Sequence, residues 1–322
     1  MAFAGVISIL VLGGFVAPSH ASRAAKLTTV KVVMGFNPNV QFAPFYAAVQ
    51  LGYYKAAGLN VSFNYATEPD ALRLLAEGSI DFVDSGGDEV LAAGASGLSV
   101  KYVLTQYSRF PAALFFLKSS NIKKVKDLRG TTIGVPAETG ASYYGLLALL
   151  GEGHVPLSSV KIEPINYNQV AEVAAHKVDA AMGYAPNEPV ELRHLGKRVG
   201  EFDVYRWADI AGAGVATSDS LISKDPKLVR AFVQATLRGM RWTISHPGKA
   251  FHFCRKSIPD FTEPSLQRLI LDRAIAFWKP AGVPLGHMDP RVWRLTASIL
   301  LKYKVIPHQV AATGYYTNRF VG

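Results

Sequence analysis

One cysteine stands among the 322 residues, Cys254, so no intramolecular disulfide can staple this chain. Set within Phe251-His252-Phe253-Cys254, the thiol reads as a small packed side chain and not as a nucleophile. It also comes too late to be the acylated first residue of a lipoprotein. Long apolar runs are almost as scarce. After Met1 to Pro18 nothing approaches the roughly 20 apolar residues that span a bilayer, so the mature chain is expected to meet a membrane only through a partner. Metal-ligand spacing is missing: His154, His176, His194 and His287 show no pattern such as His-X-X-X-His, and neither a metal nor a cofactor is expected. Clustered basic charge is lacking too. The formal charge of +10 is spread along the chain. Its densest groups, Lys123-Lys124 with Lys126 and Arg129, or Lys197-Arg198, have no interleaved aromatics and read as solvated faces, not as a nucleic-acid surface.

What is present begins with Met1 to Pro18, followed by Ser19-His20-Ala21, which puts small residues at the two positions a signal peptidase reads. Residues 1–21 are read as a signal peptide cut after Ala21. The segment carries no Asp, Glu, Lys or Arg, and because its first residues lack the usual positive charge, an uncleaved N-terminal anchor is the alternative. Export without a lipoprotein cysteine predicts a free periplasmic protein of a Gram-negative cell. The chain is 49% hydrophobic and 18% charged, the balance of a compact protein with a substantial core, and its length suits two lobes.

From Val30 onward, short β-branched runs alternate with helical periodicity, which predicts α/β layers on mostly parallel sheets. Strands are expected at 30–35, 59–66 and 80–83, with helices between them and Asn37-Pro38-Asn39 capping the first. Val100 to Ser108 and Ala112 to Lys118 are two strand-like runs with no helix between them, which suggests a crossover. The alternation restarts at Thr132 and runs to Tyr184. Ala211 to Ser218 is partly β-like, and the remainder is helical, notably 226–245, 264–277 and 290–302, each opening on a proline whose missing N–H costs nothing there.

Several segments, in order, carry a resemblance. They are Ala43-Pro44-Phe45-Tyr46-Ala47-Ala48, Leu51-Gly52-Tyr53-Tyr54-Lys55-Ala56-Ala57-Gly58-Leu59-Asn60-Val61, Glu77-Gly78-Ser79-Ile80-Asp81-Phe82, Val125-Lys126-Asp127-Leu128-Arg129-Gly130 through Ile133-Gly134-Val135-Pro136, Lys177-Val178-Asp179-Ala180-Ala181, and Val229-Arg230-Ala231-Phe232. Together they resemble the SsuA/THI5-like type II periplasmic binding proteins, the family of sulfonate, nitrate, taurine and thiamine-pyrimidine receptors. The resemblance implies two α/β lobes joined by two crossover strands, with 28–115 and 216–322 in lobe 1 and 116–215 in lobe 2. Phe110 to Ser119 and Gly212 to Thr217 are then the hinge strands. It implies a monomer that hands a small-molecule ligand to an ABC permease and ATPase at the inner membrane and does no chemistry. The yeast-type pyrimidine synthase shares the fold, but it carries a cysteine-rich motif and works inside the cell.

In open α/β sheets, ligands sit beyond the carboxyl ends of the strands, at helix N-termini. Those positions hold Asn37 to Phe42, Ser85 to Glu89, Glu138 to Tyr143 and Tyr184 to Glu188, loops without Lys or Arg. A buried anion needs a paired cation or dense hydrogen bonding, so sulfonate, taurine and nitrate are disfavoured. Phe42, Tyr46, Tyr143 and Tyr184 can stack on a flat ring; Asn37, Asn39, Gln41, Glu138, Asn187 and Glu188 can bond ring nitrogens and an exocyclic amine. Ser85, Gly86, Asp88, Thr139 and Ser142 complete the candidate set. Bland readings stand beside these: Tyr46 in the core, Asn37 and Asn39 shaping the turn, Asp88 capping a helix. A thiamine pyrimidine precursor, hydroxymethylpyrimidine or formylaminopyrimidine, is the first expectation and riboflavin the second. Thiamine-pyrimidine receptors place His-X-Gly where this sequence has Gln41-Phe42-Ala43.

Overall fold

The computed structural model of the protein describes residues 1–2 and 26–322; the apolar run and cleavage point of the expected signal peptide lie outside the described residues. Ten strands, β1 (Thr28–Met34), β2 (Leu59–Tyr65), β3 (Phe82–Gly86), β4 (Val100–Thr105), β5 (Ala112–Leu117), β6 (Thr132–Val135), β7 (Lys161–Pro164), β8 (Ala180–Tyr184), β9 (Val199–Asp203) and β10 (Ala213–Ser218), form two sheets of five. Their orders are β2-β1-β3-β10-β4 and β7-β6-β8-β5-β9. In the first sheet β1 runs parallel to both β2 and β3, and buries Val30, Val32 and Met34 completely, as a strand covered on both faces must. At the edge, β2 alternates, and its Phe63 meets Phe45 and Tyr46 edge-on at 6.1 and 6.3 Å. Among the described residues no helix is long and apolar enough to cross a membrane.

The two sheets repeat one plan. Each has a parallel trio, β2-β1-β3 or β7-β6-β8, and then one strand antiparallel to both its neighbours: β10 between β3 and β4, β5 between β8 and β9. That antiparallel strand is in each case the first one formed after the chain arrives from the other sheet. The crossings are therefore 106–111 and 204–212. This corrects the hinge expected at Phe110 to Ser119 and Gly212 to Thr217. Ala112–Leu117, placed largely in lobe 1 by the sequence reading, is wholly buried inside the second sheet, and Ala213–Ser218 is as deep in the first. A run without a flanking helix looks like a connection, yet its apolar residues belong in the middle of a sheet.

The crossings are tied to each other. Gln106 and Tyr107 both donate their N–H to the Ala213 carbonyl, at 3.1 and 2.9 Å. Phe110 N–H reaches the Asp209 carboxylate at 2.9 Å, and the Tyr102 hydroxyl reaches the Gly212 carbonyl at 2.9 Å. A Cβ on Gly212 would stand 3.2 Å from Pro111 Cδ and from Tyr107 Cβ, a tight contact that glycine avoids where the crossings lie side by side.

The C-terminal helices brace this frame. Pro226–Ser245 packs on Ala43–Gln50, with Phe232 stacked on Phe82 at 4.0 Å. Pro264–Trp278 reaches the other lobe, where Arg273 pairs with Glu201 and Asp203 of β9 at 2.8 and 3.4 Å. Among the elements that the sequence did not reveal are β9 and the helix Glu188–His194.

At Gly239 the helix Pro226–Ser245 comes so near Ala43–Gln50 that a Cβ would collide with the Pro44 carbonyl and stand 3.0 Å from Ala48 Cβ. Helix propensity alone would favour alanine there by about 1 kcal/mol, but overpacking costs about 1–3 kcal/mol. Gly239→Ala is therefore expected to lower the midpoint of thermal unfolding followed by circular dichroism.

Candidate ligand-binding cleft

The parallel strands of both sheets point their carboxyl ends at one cleft of about 490 Å³, within the ~300–1,000 Å³ usual for small-molecule sites. The first lobe contributes Gly35 to Phe42 after β1, Thr67 to Asp70 after β2, and Asp84 and Glu89 at β3 and the helix behind it. The second contributes Pro136 to Ser142 after β6, Tyr167 and Gln169 after β7, and Tyr184 to Glu188 after β8. Gln106 and Tyr107, from the first crossing, and Ala213, at the start of β10, complete the lining.

Eight of the expected residues line this cleft: Asn39, Gln41, Phe42, Thr139, Ser142, Tyr184, Asn187 and Glu188. Asn39 Oδ1 accepts the Gln41 N–H at 2.9 Å and so caps the turn that presents Gln41 and Phe42. Gln41 is held twice, its carbonyl by Gln106 Nε2 at 2.7 Å and its Oε1 by the Tyr107 hydroxyl. Tyr107 in turn meets Tyr184 edge-on at 6.2 Å, across the lobes. Glu188 lines the cleft as the first residue of a helix and not in a loop. Its Oε2 accepts the Tyr184 N–H at 2.7 Å, and its Oε1 lies 3.4 Å from Asn187 Nδ2. Half of the carboxyl is thus spent on shaping its own turn, and burial pushes its pKa up.

The other seven lie elsewhere. Tyr46 is core, 2% exposed, with its hydroxyl 3.1 Å from that of Tyr65 and its ring edge-on to Phe42; an inward-facing position on a buried helix outweighs its place near the loop. Ser85 and Gly86 belong to β3, and their Oγ and N–H donate to Glu68 Oε2 at 2.9 and 2.8 Å. They support a lining residue and do not line the cleft themselves. Asp88 is fully buried behind the wall, in the first turn of the helix Gly87–Ala95. Asn37 and Glu138 face solvent, and Tyr143 turns aside to pack on Tyr144 at 6.2 Å.

The sequence reading missed Thr67, Glu68, Asp70, Tyr167 and Gln169, which follow the edge strands β2 and β7. The rule that found the other loops holds for these as well and was simply not extended to the edges. Tyr167 is held over the mouth by two successive left-handed residues, Asn166 at φ 48° and Tyr167 at φ 62°, a costly conformation that marks a constrained position. Its ring lies 6.1 Å from that of Phe36 on the opposite lobe.

Four carboxyl groups, Glu68, Asp84, Asp88 and Glu89, gather on the first-lobe side. Burial, then the neighbouring Glu68 charge, holds Asp84 and Glu89 well above the usual carboxylate range and pushes Asp88 up to about 8. Glu68 stands close enough to Glu89 to push its pKa up further. Glu89 also reaches the other lobe: a Cβ on Gly140, itself at φ +78°, would sit 2.8 Å from its Oε1. Three groups among the lining residues have no hydrogen-bond partner: Asp84 Oδ1, Glu89 Oε2 and Gln106 Oε1. Leaving such a group dry costs about 1–3 kcal/mol. Among the described lining residues there is no Lys, Arg, His or Cys.

Residues 39–250 match the family model described as NMT1/THI5 like. Riboflavin-binding protein RibY of Chloroflexus aurantiacus is 36% identical, the alignment covering 98% of this chain and 96% of that protein. A 4-amino-5-hydroxymethyl-2-methylpyrimidine phosphate synthase of Legionella pneumophila is 26% identical over 91% of this chain and 92% of its own length. In fold, the chain is similar to the periplasmic aliphatic sulphonate binding protein SsuA from Escherichia coli, with a TM-score of 0.71, 17% identity and coverage of 89% and 91%.

The carboxyls fix the sign of a pH dependence. Their folded pKa values lie above the unfolded value of about 4, so the native state binds more protons than the unfolded one between about pH 4 and pH 8 or beyond. The stability this confers is present in acid and is lost as pH rises through that interval, by up to about 1.4 kcal/mol per pH unit for each extra proton. The melting temperature of the ligand-free protein is expected to fall from pH 5 to pH 9. Asp88→Asn, which keeps the shape and removes the charge, should flatten that profile, and an unchanged slope would show that Asp88 does not titrate there.

Proposed function

The chain belongs to the NMT1/THI5-like family, and from that membership we propose that it is the solute-binding component of an ABC importer, taking a neutral heteroaromatic nutrient of the riboflavin kind. It works outside the cytoplasmic membrane as a monomer, passes its ligand to a permease and ATPase, and catalyses nothing. The observation that carries this reading is the lining of the cleft. Ring faces from Phe36, Phe42, Tyr107, Tyr167 and Tyr184 stand beside carboxyls and amides, with no cation among the described lining residues.

Such a lining favours a flat, uncharged ring system, which gains from stacking and apolar burial. It rejects an anion, whose desolvation nothing there repays. Size separates the two heterocycles. A substituted pyrimidine has one ring and would leave much of about 490 Å³ to water, whereas a three-ring flavin with its polyol chain occupies far more. The relative RibY, named for riboflavin, aligns along nearly the whole chain. Catalysis through a cysteine would call for a thiol in the cleft. The one cysteine, Cys254, is buried in the core of the first lobe, among the residues around Val40.

Titration with riboflavin, followed by quenching of flavin fluorescence, is expected to show saturable binding. Riboflavin 5′-phosphate should bind at least about tenfold more weakly, equivalent to about 1.4 kcal/mol, because its phosphate meets several carboxyls and no cation among the described lining residues. Taurine and nitrate should give no heat in calorimetry. Tight binding of either anion, with none of riboflavin, would overturn the reading.

A further inference from the structure

The sequence from Pro226 to Pro259 holds no Asp or Glu, and it folds into two consecutive helices, Pro226–Ser245 and Pro247–Ser257. Charges that read as scattered along the chain are gathered here. Arg238, Arg241, Trp242 and His246 share one face of the first helix, at spacings of three and four residues, and Lys249, His252, Phe253 and Lys256 share one face of the second. The buried faces lie opposite, at Leu237, Met240 and Thr243 and at Ala250 and Cys254.

Stacked rings join the two faces. The Trp242 indole lies on the His246 ring at 4.8 Å and on the Phe253 ring at 5.2 Å, in both cases 17° from parallel. At the other end Arg238 sits over the Tyr53 ring at 4.1 Å, so the strip runs on to the helix Tyr53–Ala56, where Lys55 is exposed. Arg238, Arg241, Lys249, Arg255 and Lys256 are all exposed, and among the described residues none of them forms an ion pair. Asp225 and Asp260 flank the two helices at their outer ends, and Asp225 caps the first by accepting the Leu228 N–H at 2.9 Å. One end of the strip also lies beside the start of the first strand. The Thr28 N–H donates to the Gly58 carbonyl at 2.9 Å, close behind Tyr53–Ala56, and the apolar run Met1 to Pro18 precedes that strand in the sequence.

A solvated basic face needs no aromatics. Half-buried Tyr, Trp and Phe rings alternating with unpaired cations are instead the chemistry of a bilayer interface, where amphipathic rings sit at headgroup level and cations meet anionic lipid. We propose that this strip rests on the surface of an anionic phospholipid bilayer, with its cations against the headgroups and the rings of Trp242 and Phe253 at their depth. None of its residues lines the cleft, so the contact holds the protein at the membrane whatever ligand it carries.

The test is cosedimentation of the full chain with vesicles of phosphatidylcholine alone or with about 30% phosphatidylglycerol. Partitioning is expected to be at least about tenfold stronger with the anionic lipid, and to weaken as salt is raised from about 0.05 M to about 0.5 M. In the triple variant Arg241→Gln, Lys249→Gln, Lys256→Gln most of that preference should be lost, with the midpoint of thermal unfolding unchanged because all three side chains are exposed and unpaired. A second triple variant, Lys123→Gln, Lys126→Gln, Lys197→Gln, removes the same charge from exposed groups without interleaved aromatics and should keep the preference. Residues 1–21 carry no Asp, Glu, Lys or Arg and are the same in all three proteins, so whatever they add cancels from the comparison. Equal partitioning of the parent onto both vesicle types would overturn the proposal and leave an acidic protein as the partner of the strip. Equal loss in the two triple variants would overturn it as well, because net charge would then act without a site.

Discussion

Everything in this molecule depends on the chain passing between two sheets twice, side by side. Each passage delivers the strand that completes the sheet it enters, β5 in one case and β10 in the other, so neither sheet is whole without a segment that has just left its partner. The hydrogen bonds from Gln106 and Tyr107 to Ala213, and from Phe110 to Asp209, bind the two passages into one narrow junction. In two-lobed receptors, hinge closure is one of the motions by which the lobes enclose a ligand. Gln106, Tyr107 and Ala213, which tie the junction together, also line the cleft.

The polar chemistry of the cleft follows from burial more than from formal charge. The chain carries a formal charge of +10, yet the cleft is lined by Glu68, Asp70, Asp84, Glu89 and Glu188 with no cation among its described lining. Collecting carboxyls away from water raises their proton affinity, because each charged form loses solvation and repels the next. Asp84, Asp88 and Glu89 are held above the usual carboxylate range in this way, whereas exposed Asp70, bonded to Thr67 and Arg73, is held below it. Stability is sacrificed for that burial, as functional sites commonly do. Strain is a second cost, in the left-handed pair Asn166 and Tyr167 that projects a ring over the mouth.

Bracing across the lobes comes from outside the cleft. Arg273, on the C-terminal helix Pro264–Trp278, holds Glu201 and Asp203 on the edge of the second sheet, while Arg109 of the crossing reaches back to the carbonyl of Ala276 on the same helix. Exposed ion pairs of this kind are weak individually. Here their role is positional, since they fasten the helix Pro264–Trp278 against the second sheet and the crossing.

The local alphabet of the fold was legible in the sequence. Short apolar and β-branched runs gave β1, β3 and β6, proline at helix starts gave three of the long C-terminal helices, and the loops after β1, β3, β6 and β8 were named as ligand positions because strand ends in α/β sheets leave helix N–H groups free. What periodicity could not give is which sheet a strand joins. Ala112–Leu117 and Ala213–Ser218 are apolar enough for either sheet, and only pairing with β8 and β9, or with β3 and β4, decides. The same limit governs the site. Tyr46 and Phe42 sit four residues apart in one apolar stretch, but packing sends Tyr46 into the core and Phe42 to the cleft. Glu68, Gln106 and Tyr167 are far apart in sequence, and nothing local links them. A sequence determines what each segment prefers to be, because propensity and hydrophobic period act over a few residues. Which side chains end at one cavity, and which of their oxygens remain without a partner, is decided only when distant segments compete for the same buried space.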